Sequence, residues 1–534
     1  MVNIIVNKKA LLKRIGVSEE KALDALPQIK AGIEADECGE LTLEIRADRP
    51  DLLSVQGVAR AVKGFLGVEK GLPELRLLKS PHKVIVDKSV EKVRPVIVTA
   101  LIEGVKIDEQ GFKDLIQTQE KLTLTHGRRR RKVAIGVHDA APIKFPLVYK
   151  AVPKNSPVEF VPLLKTEKMT LAKVMREHEK GLEYGFTLEG FSHYPVIFDS
   201  DDDIISFPPI INSAKTAVTA KTTSLFIDIT GTDFEACNSA LNILCQDYAD
   251  EGARVYSIRT GGRVTPEITP EKMSFDAKKA SQLIGLDLNQ KQIADCLQKQ
   301  RIGAKAVGKE KVEALIPRFR TDFLHWADLV EEIAIGYGYN RFEPKAPSVF
   351  TIGRMSEETA TEEKLRDLLV GAGFVEQWTY VLTSSAKHAG DVVKIKNPVS
   401  SDYDALRSTL LLSLFETLSK NTHEPYPQKV FEIGEVVVKD AKHSLRTVSQ
   451  KRLACVSAHS TANLSEISGL ALQAGKGLNK SLALKKTENA HFIPGRCVGL
   501  WFAGKEIGVA GEVHPSLLEK LQVEVPAVAF EIIV

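Results

Sequence analysis

Asp328, Glu331 and Glu332 follow Arg318-Phe319-Arg320-Thr321-Asp322 in a stretch whose apolar spacing predicts a helix over 322–336. On such a helix they fall at i, i+3 and i+4 and crowd one stripe. Like charges at that spacing repel, so a positive partner is expected. Hard carboxylate oxygens suit Mg²⁺, which keeps several waters and needs few protein ligands. The alternative is a solvated acidic face with Asp322 as helix cap, partnered by Arg318 or Arg320. A second constellation is His126-Gly127-Arg128-Arg129-Arg130-Arg131-Lys132, running into Val133-Ala134-Ile135-Gly136-Val137-His138-Asp139. Consecutive cations are costly to hold together without phosphates or acidic groups, so RNA, an acidic partner or plain solvent must face them. The third is Ser206-Phe207-Pro208-Pro209-Ile210-Ile211-Asn212-Ser213 with Leu225-Phe226-Ile227-Asp228-Ile229-Thr230-Gly231-Thr232-Asp233. Short polar groups (Asn212, Ser213, Asp228, Thr230, Thr232, Asp233) beside apolar strands are the material of a small-molecule pocket. Asp228, inside an apolar strand, needs a donor if it is buried. The competing reading is a cap and turn before the next helix.

Other chemistry is missing from the sequence. There is no phosphate-binding loop, no dinucleotide fingerprint and no Gly-x-Ser-x-Gly elbow. Lys272-Met273-Ser274 is similar to a nucleotide-binding lysine signature but has no His-x-Gly-His companion. His138 and His193 stand isolated and read as satisfied structural histidines. Cys38, Cys237, Cys245, Cys296, Cys455 and Cys497 lie far apart, which argues for reduced thiols over a zinc site or a disulfide framework.

The elements that must position these groups make up an α+β multidomain chain. At 534 residues it exceeds one hydrophobic core. Net charge of +3 is near balance, so any nucleic-acid contact must come from local clusters. Residues 1–80 read as an N-terminal α+β segment, with strands over 2–6 and 41–45, helices from 9 and over 56–65, and a connector over 72–80. Strands dominate 81–265, with helices over 111–122 and 234–250. The pattern breaks over 263–270, and 268–345 reads as a compact, partly helical module. A final α+β segment, 346–534, carries a long helix over 404–421 and strands over 429–433, 498–502 and 528–534. No signal peptide and no membrane span are legible, so a soluble cytoplasmic protein without a membrane partner is expected.

Several motifs in this order resemble the β-subunit family of phenylalanyl-tRNA synthetases, in its archaeal and eukaryotic cytosolic form. They are Asp48-Arg49-Pro50-Asp51-Leu52-Leu53-Ser54 with Gly57-Val58-Ala59-Arg60, the arginine run before Val133-Ala134-Ile135-Gly136, and Phe207-Pro208-Pro209-Ile210-Ile211-Asn212. Thr230-Gly231-Thr232-Asp233, Arg320-Thr321-Asp322 through Gly336-Tyr337-Gly338-Tyr339, Asn397-Pro398 and Phe431-Glu432-Ile433-Gly434 complete the set.

The resemblance implies an (αβ)₂ enzyme that joins phenylalanine to tRNA(Phe) using ATP, with ATP and phenylalanine bound by a separate α subunit. It implies that 268–345 is a helical B5-type module whose Asp322, Asp328, Glu331 and Glu332 bind Mg²⁺. Residues 81–265 become a B3/B4 editing-type domain that hydrolyses Tyr-tRNA(Phe), with Asn212, Ser213, Asp228, Thr230 and Asp233 as pocket candidates. Residues 346–534 become a degenerate class II synthetase module built on an antiparallel sheet, with 397–421 as its interface motif. There Lys429-Val430-Phe431-Glu432 stands where a working chain carries an arginine for ATP. Without such cations the chain holds no catalytic residue for aminoacylation. A free-standing hydrolase and a non-catalytic RNA-binding scaffold are the competing functions.

Overall fold

A computed structural model of the chain describes every residue except Met1, Ala389 and Asp391. It divides into two compact units, Met1–Lys345 and Ala346–Val534.

The first unit opens with strands Val2–Asn7, Ala31–Glu37 and Glu40–Ile45, the last in the middle of an antiparallel sheet. Ile4 and Val6 alternate with Leu41, Leu43 and Ile45 to bury one face, as a period of two requires. Against it lie helices Lys8–Ile15, Glu19–Gln28 and Val55–Phe65. Ser54 accepts from the Gly57 amide to start the last of these. A Cβ at Gly57 would stand 1.7 Å from the Asp51 carbonyl oxygen, so only glycine lets the turn close.

A ten-stranded mixed sheet follows. From one end its order is Ile211–Asn212, Ile204–Phe207, His193–Phe198, Leu147–Pro153, Leu77–Val86, Arg254–Thr260, Val96–Glu103, Ser224–Gly231 and Val133–Asp139. Arg263–Thr265 pairs with Arg254–Thr260 off this path, so the apparent break over 263–270 begins inside the sheet. Helix Phe234–Asp250, buried through Cys237, Ala240, Leu241 and Leu244, shares a core with Val98, Ala100 and Ile102. The two ends of the strand order come back together, because the Asn212 side-chain amide donates to the Val137 carbonyl at 3.2 Å. Strand Leu77–Val86 begins inside the expected connector. Its pairing shifts register beside Pro81, which has no amide to offer the ladder.

Antiparallel strands Glu271–Asp276, Lys311–Ile316 and Gly303–Val307 then carry helices Ala277–Ile284, Gln290–Lys299 and Trp326–Tyr337. The last helix starts four residues later than the spacing predicts (322 against 326). His325 caps it, and one Asp328 oxygen accepts from the Leu324 and His325 amides, which holds 322–325 out of the helix.

The second unit is a seven-stranded sheet, Val375–Glu376, Gln428–Lys439, Thr447–Ala458, Ala527–Ile533, Lys505–Val513, Phe492–Phe502 and Ala483–Lys486, antiparallel except for the first pair. Both faces are covered. Leu453 and Cys455 pack with helices Glu357–Gly371 and Leu464–Gly477, while Ala454 and Val456 pack with helix Leu411–Lys420. That helix is shorter than the expected 404–421. Asp404 accepts from the Ser385 amide and hydroxyl, and the Leu410 amide donates to Glu531, so partners from elsewhere keep 404–410 out of the helix.

Candidate functional site

Where the large sheet closes on itself lies a cavity of about 490 Å³, lined among others by Gly136, Asn212, Ser213, Thr216 and Asp228. Strand Val133–Asp139 runs antiparallel to Ser224–Gly231 with Gly136 directly opposite Asp228. His138, two residues on, therefore shares the face of Asp228. A Cβ on Gly136 would come within 2.2 Å of Asp228 Oδ2, so the glycine clears the path between carboxylate and imidazole. His138 Nε2 meets Asp228 Oδ2 at 2.7 Å, with side-chain exposures of 0% and 1%. Its Nδ1 lies 2.7 Å from the Thr216 hydroxyl. Asp228 cannot donate as a carboxylate, so Nε2 carries the hydrogen toward it, while Thr216 Oγ1, beside Nδ1, also lies 3.3 Å from the Ser213 carbonyl. Oδ1 of Asp228 is left for a ligand or water.

Three of the five expected pocket residues, Asn212, Ser213 and Asp228, meet in this cavity. The Asn212 amide joins Val137 to the Ser206 hydroxyl, and Ser213 Oγ reaches the Val161 carbonyl at 3.4 Å. Thr230 and Asp233 do not line it. Thr230 lies two residues further along the strand under Arg94, whose guanidinium donates to its hydroxyl at 2.9 Å and its carbonyl at 2.6 Å. Asp233 caps helix Phe234–Asp250 by accepting from the Ala236 amide and faces another recess. His138, read from sequence as isolated, proves to be the partner Asp228 required. Its one signal was the glycine two residues before it, meaningful only once the register is known.

That recess, of about 720 Å³, is lined by Arg128, Arg129, Arg131, Lys132, Phe186, Thr232 and Asp233. Arg130, by contrast, points back: it donates to the Pro209 and Ile210 carbonyls at 2.8 and 2.7 Å and lines the cavity.

The four carboxylates expected to hold Mg²⁺ are engaged by the protein's own cations and amides. Asp322 pairs with Arg320 through both oxygens, at 2.8 and 2.6 Å, and Asp328 serves the helix start. Glu331 and Glu332 lie 3.1 and 3.4 Å from the Lys30 ammonium, with Asp48 at 3.3 Å, and Glu332 is also 3.1 Å from Arg320. The donor chemistry suits a hard cation, and neither Glu332 oxygen makes a hydrogen bond. Yet protein cations already supply the charge: Asp48, Glu331 and Glu332 meet at the Lys30 ammonium, and among the described residues no group of three acidic, His or Cys side chains is arranged to hold a metal ion. Lys30 and Arg320 stand among these carboxylates where a cation would. Burial alone would raise Asp322; Arg320, with Arg49 and Lys30, outweighs it and holds the carboxyl down at about 2.

In the second unit Glu432 is buried against Arg407 at 2.8 Å, and Arg452 pairs with Glu531 at 2.7 Å.

These domains have known counterparts. A tRNA synthetase B5 domain matches residues 273–339, and a phenylalanyl tRNA synthetase beta chain CLM domain matches residues 341–534. Both place the chain among tRNA synthetase proteins. Over 536 residues it is 39% identical to the phenylalanine–tRNA ligase beta subunit of Archaeoglobus fulgidus, spanning 98% of this chain and 96% of that one. The Pyrococcus abyssi phenylalanine–tRNA ligase beta subunit is 39% identical over 91% of this chain and 89% of its own. The crystal structure of an N-terminal fragment of the Pyrococcus horikoshii phenylalanyl-tRNA synthetase beta subunit superposes with a TM-score of 0.61 at 37% identity, covering 63% of this chain and 100% of that one. The chain belongs to the phenylalanine–tRNA ligase β-subunit family.

Proposed function

We propose that this chain acts with an α subunit in an (αβ)₂ phenylalanine–tRNA ligase, and that its own cavity hydrolyses tyrosine from mischarged tRNA(Phe). The observation that carries the second part is the buried Asp228–His138–Thr216 chain at the wall of a cavity of about 490 Å³, within the roughly 300–1,000 Å³ of small-molecule sites. A synthetic pocket shaped for phenylalanine rejects one added hydroxyl only weakly, by about 100-fold. A second pocket whose polar groups await that hydroxyl discriminates the other way, since phenylalanine would leave them unpaired.

In this reading Asp228 Oδ1 takes a proton from water as the water oxygen bonds to the ester carbonyl carbon. The ester C–O bond then breaks and the ribose oxygen leaves with the proton that Asp228 took from water. His138, held by Thr216, orients the carboxylate. General-base help of this kind is worth about 10²- to 10⁴-fold. Asp228→Asn is therefore expected to slow deacylation of Tyr-tRNA(Phe) by that factor while charging with the α partner survives. A wild-type deacylation rate in Asp228→Asn would remove the cavity as the hydrolytic site.

The division of labour with α rests on the second unit. Its Arg407 and Arg452 are engaged by Glu432 and Glu531, so neither is free for a phosphate. Its surface also leaves Trp378, Tyr380, Phe350 and Ile352 at 77–99% exposure, apolar area of the kind a partner covers. ATP and phenylalanine are then bound by α, and the same pairing of cations supports the degenerate class II reading of 346–534.

A further inference from the structure

The arginine run is not absorbed by the cavity. Residues 127–132 fold into a tight turn in which Arg128, Arg129 and Arg130 take φ of 49°, 53° and 65°. That left-handed region disfavours side chains with a Cβ. The turn is nonetheless pinned, since the Arg129, Arg131 and Lys132 amides donate to the Leu124, Arg128 and Gly127 carbonyls. Arg129 and Arg131 hold their guanidinium carbons 5.4 and 4.9 Å from the Phe186 ring centre. Asp233 lies 3.8 Å from Lys132, and among the described residues no carboxylate pairs with Arg128, Arg129 or Arg131. Three exposed cations on a stiff turn, around a recess of about 720 Å³, want counter-charge from another molecule. Arg130 tells where that molecule leads: stacked 3.8 Å from the Tyr184 ring centre, it reaches through to the cavity wall.

We propose that Arg128, Arg129 and Arg131, with the Phe186 ring, form a clamp for the phosphates of a single-stranded RNA 3′ end, placing its terminal ester in the Asp228 cavity. The inference rests on the hydrolytic reading for the ester, but not for the RNA contact. An acidic face of the partner subunit would meet the same charges. RNA is favoured because the recess and the cavity share one loop, so a chain of phosphates held in the first delivers its end to the second.

The test compares the full-length chain with an Arg128→Ala/Arg129→Ala/Arg131→Ala variant and its Lys counterpart. Binding of uncharged tRNA is measured across salt concentrations. Each lost phosphate contact on a single strand lowers the slope by roughly 0.7, so the Ala variant should be shallower by about 2 and bind about 100-fold more weakly at roughly 0.1 M salt. The Lys variant should keep most of the slope. Hydrolysis is read separately on Tyr-tRNA(Phe) and on phosphate-free tyrosyl-adenosine. The Ala variant should raise KM for the first and leave the second unchanged. An unaltered slope overturns the clamp, and loss of α-subunit association in place of RNA binding assigns the loop to the protein partner. No hydrolysis of either ester by the wild-type chain, with the slope still changed, overturns the cavity reading and keeps the clamp.

Discussion

A carboxylate in the middle of an apolar strand is costly unless something donates to it, and Asp228 stood out for that reason before its partner was in view. The donor is His138, on a neighbouring strand. Sequence shows both residues but not the pairing register that sets Gly136 opposite Asp228 and leaves room for the contact. The same holds for Asp322. Its neighbour Arg320 is visible in sequence; its burial, and the Arg49 and Lys30 charges around it, are not. Because its folded pKa lies below the ordinary 3.8, at about 2, the native state gives up this proton more readily than the unfolded one. The contribution is present above about pH 4 and is lost as pH falls toward 2, and it amounts to about 2 kcal/mol. Denaturant unfolding of wild type and Asp322→Asn should differ by that amount at pH 5 and converge near pH 2; parallel curves would contradict the assignment.

Elements were read most securely where a local signal sufficed. Phe234–Asp250 matches its predicted span because Asp233 caps it and its apolar residues recur at helical spacing. Asp233→Ala should cost about 1 kcal/mol of stability, the ordinary worth of a cap, and leave Tyr-tRNA(Phe) deacylation at the wild-type rate in the folded protein. A deacylation defect beyond the shift in melting temperature would return Asp233 to the chemistry. Spans failed where a side-chain acceptor captures the amides that would open the helix. Glu531 receives the Leu410 amide and so delays the helix expected from 404, and Asp328 holds Leu324 and His325 out of the following helix by accepting their amides. In both cases the competing hydrogen bond comes from a side chain whose position periodicity does not encode.

At the scale of the whole molecule, each unit has its own core, and the chemistry read here belongs to the first. In the second, buried Arg407 and half-buried Arg452 answer buried glutamates. The chain alone should therefore give no phenylalanine-dependent pyrophosphate exchange above background, and mixing with the α subunit should restore it. Strong exchange from a partner-free preparation would overturn the division of labour. Among the described residues no helix is long and apolar enough to cross a membrane. Family, order of segments and the residue types available for chemistry were determined by the sequence itself, because motifs, caps and apolar periodicity are local properties. Which of those residues meet was decided only in the tertiary structure. Asn212 closes the sheet onto Val137, His138 reaches Asp228, and Lys30 answers Glu331 and Glu332 across about 300 residues of chain. Register and long-range ion pairing depend on the packing of the whole unit, and no window of sequence carries them.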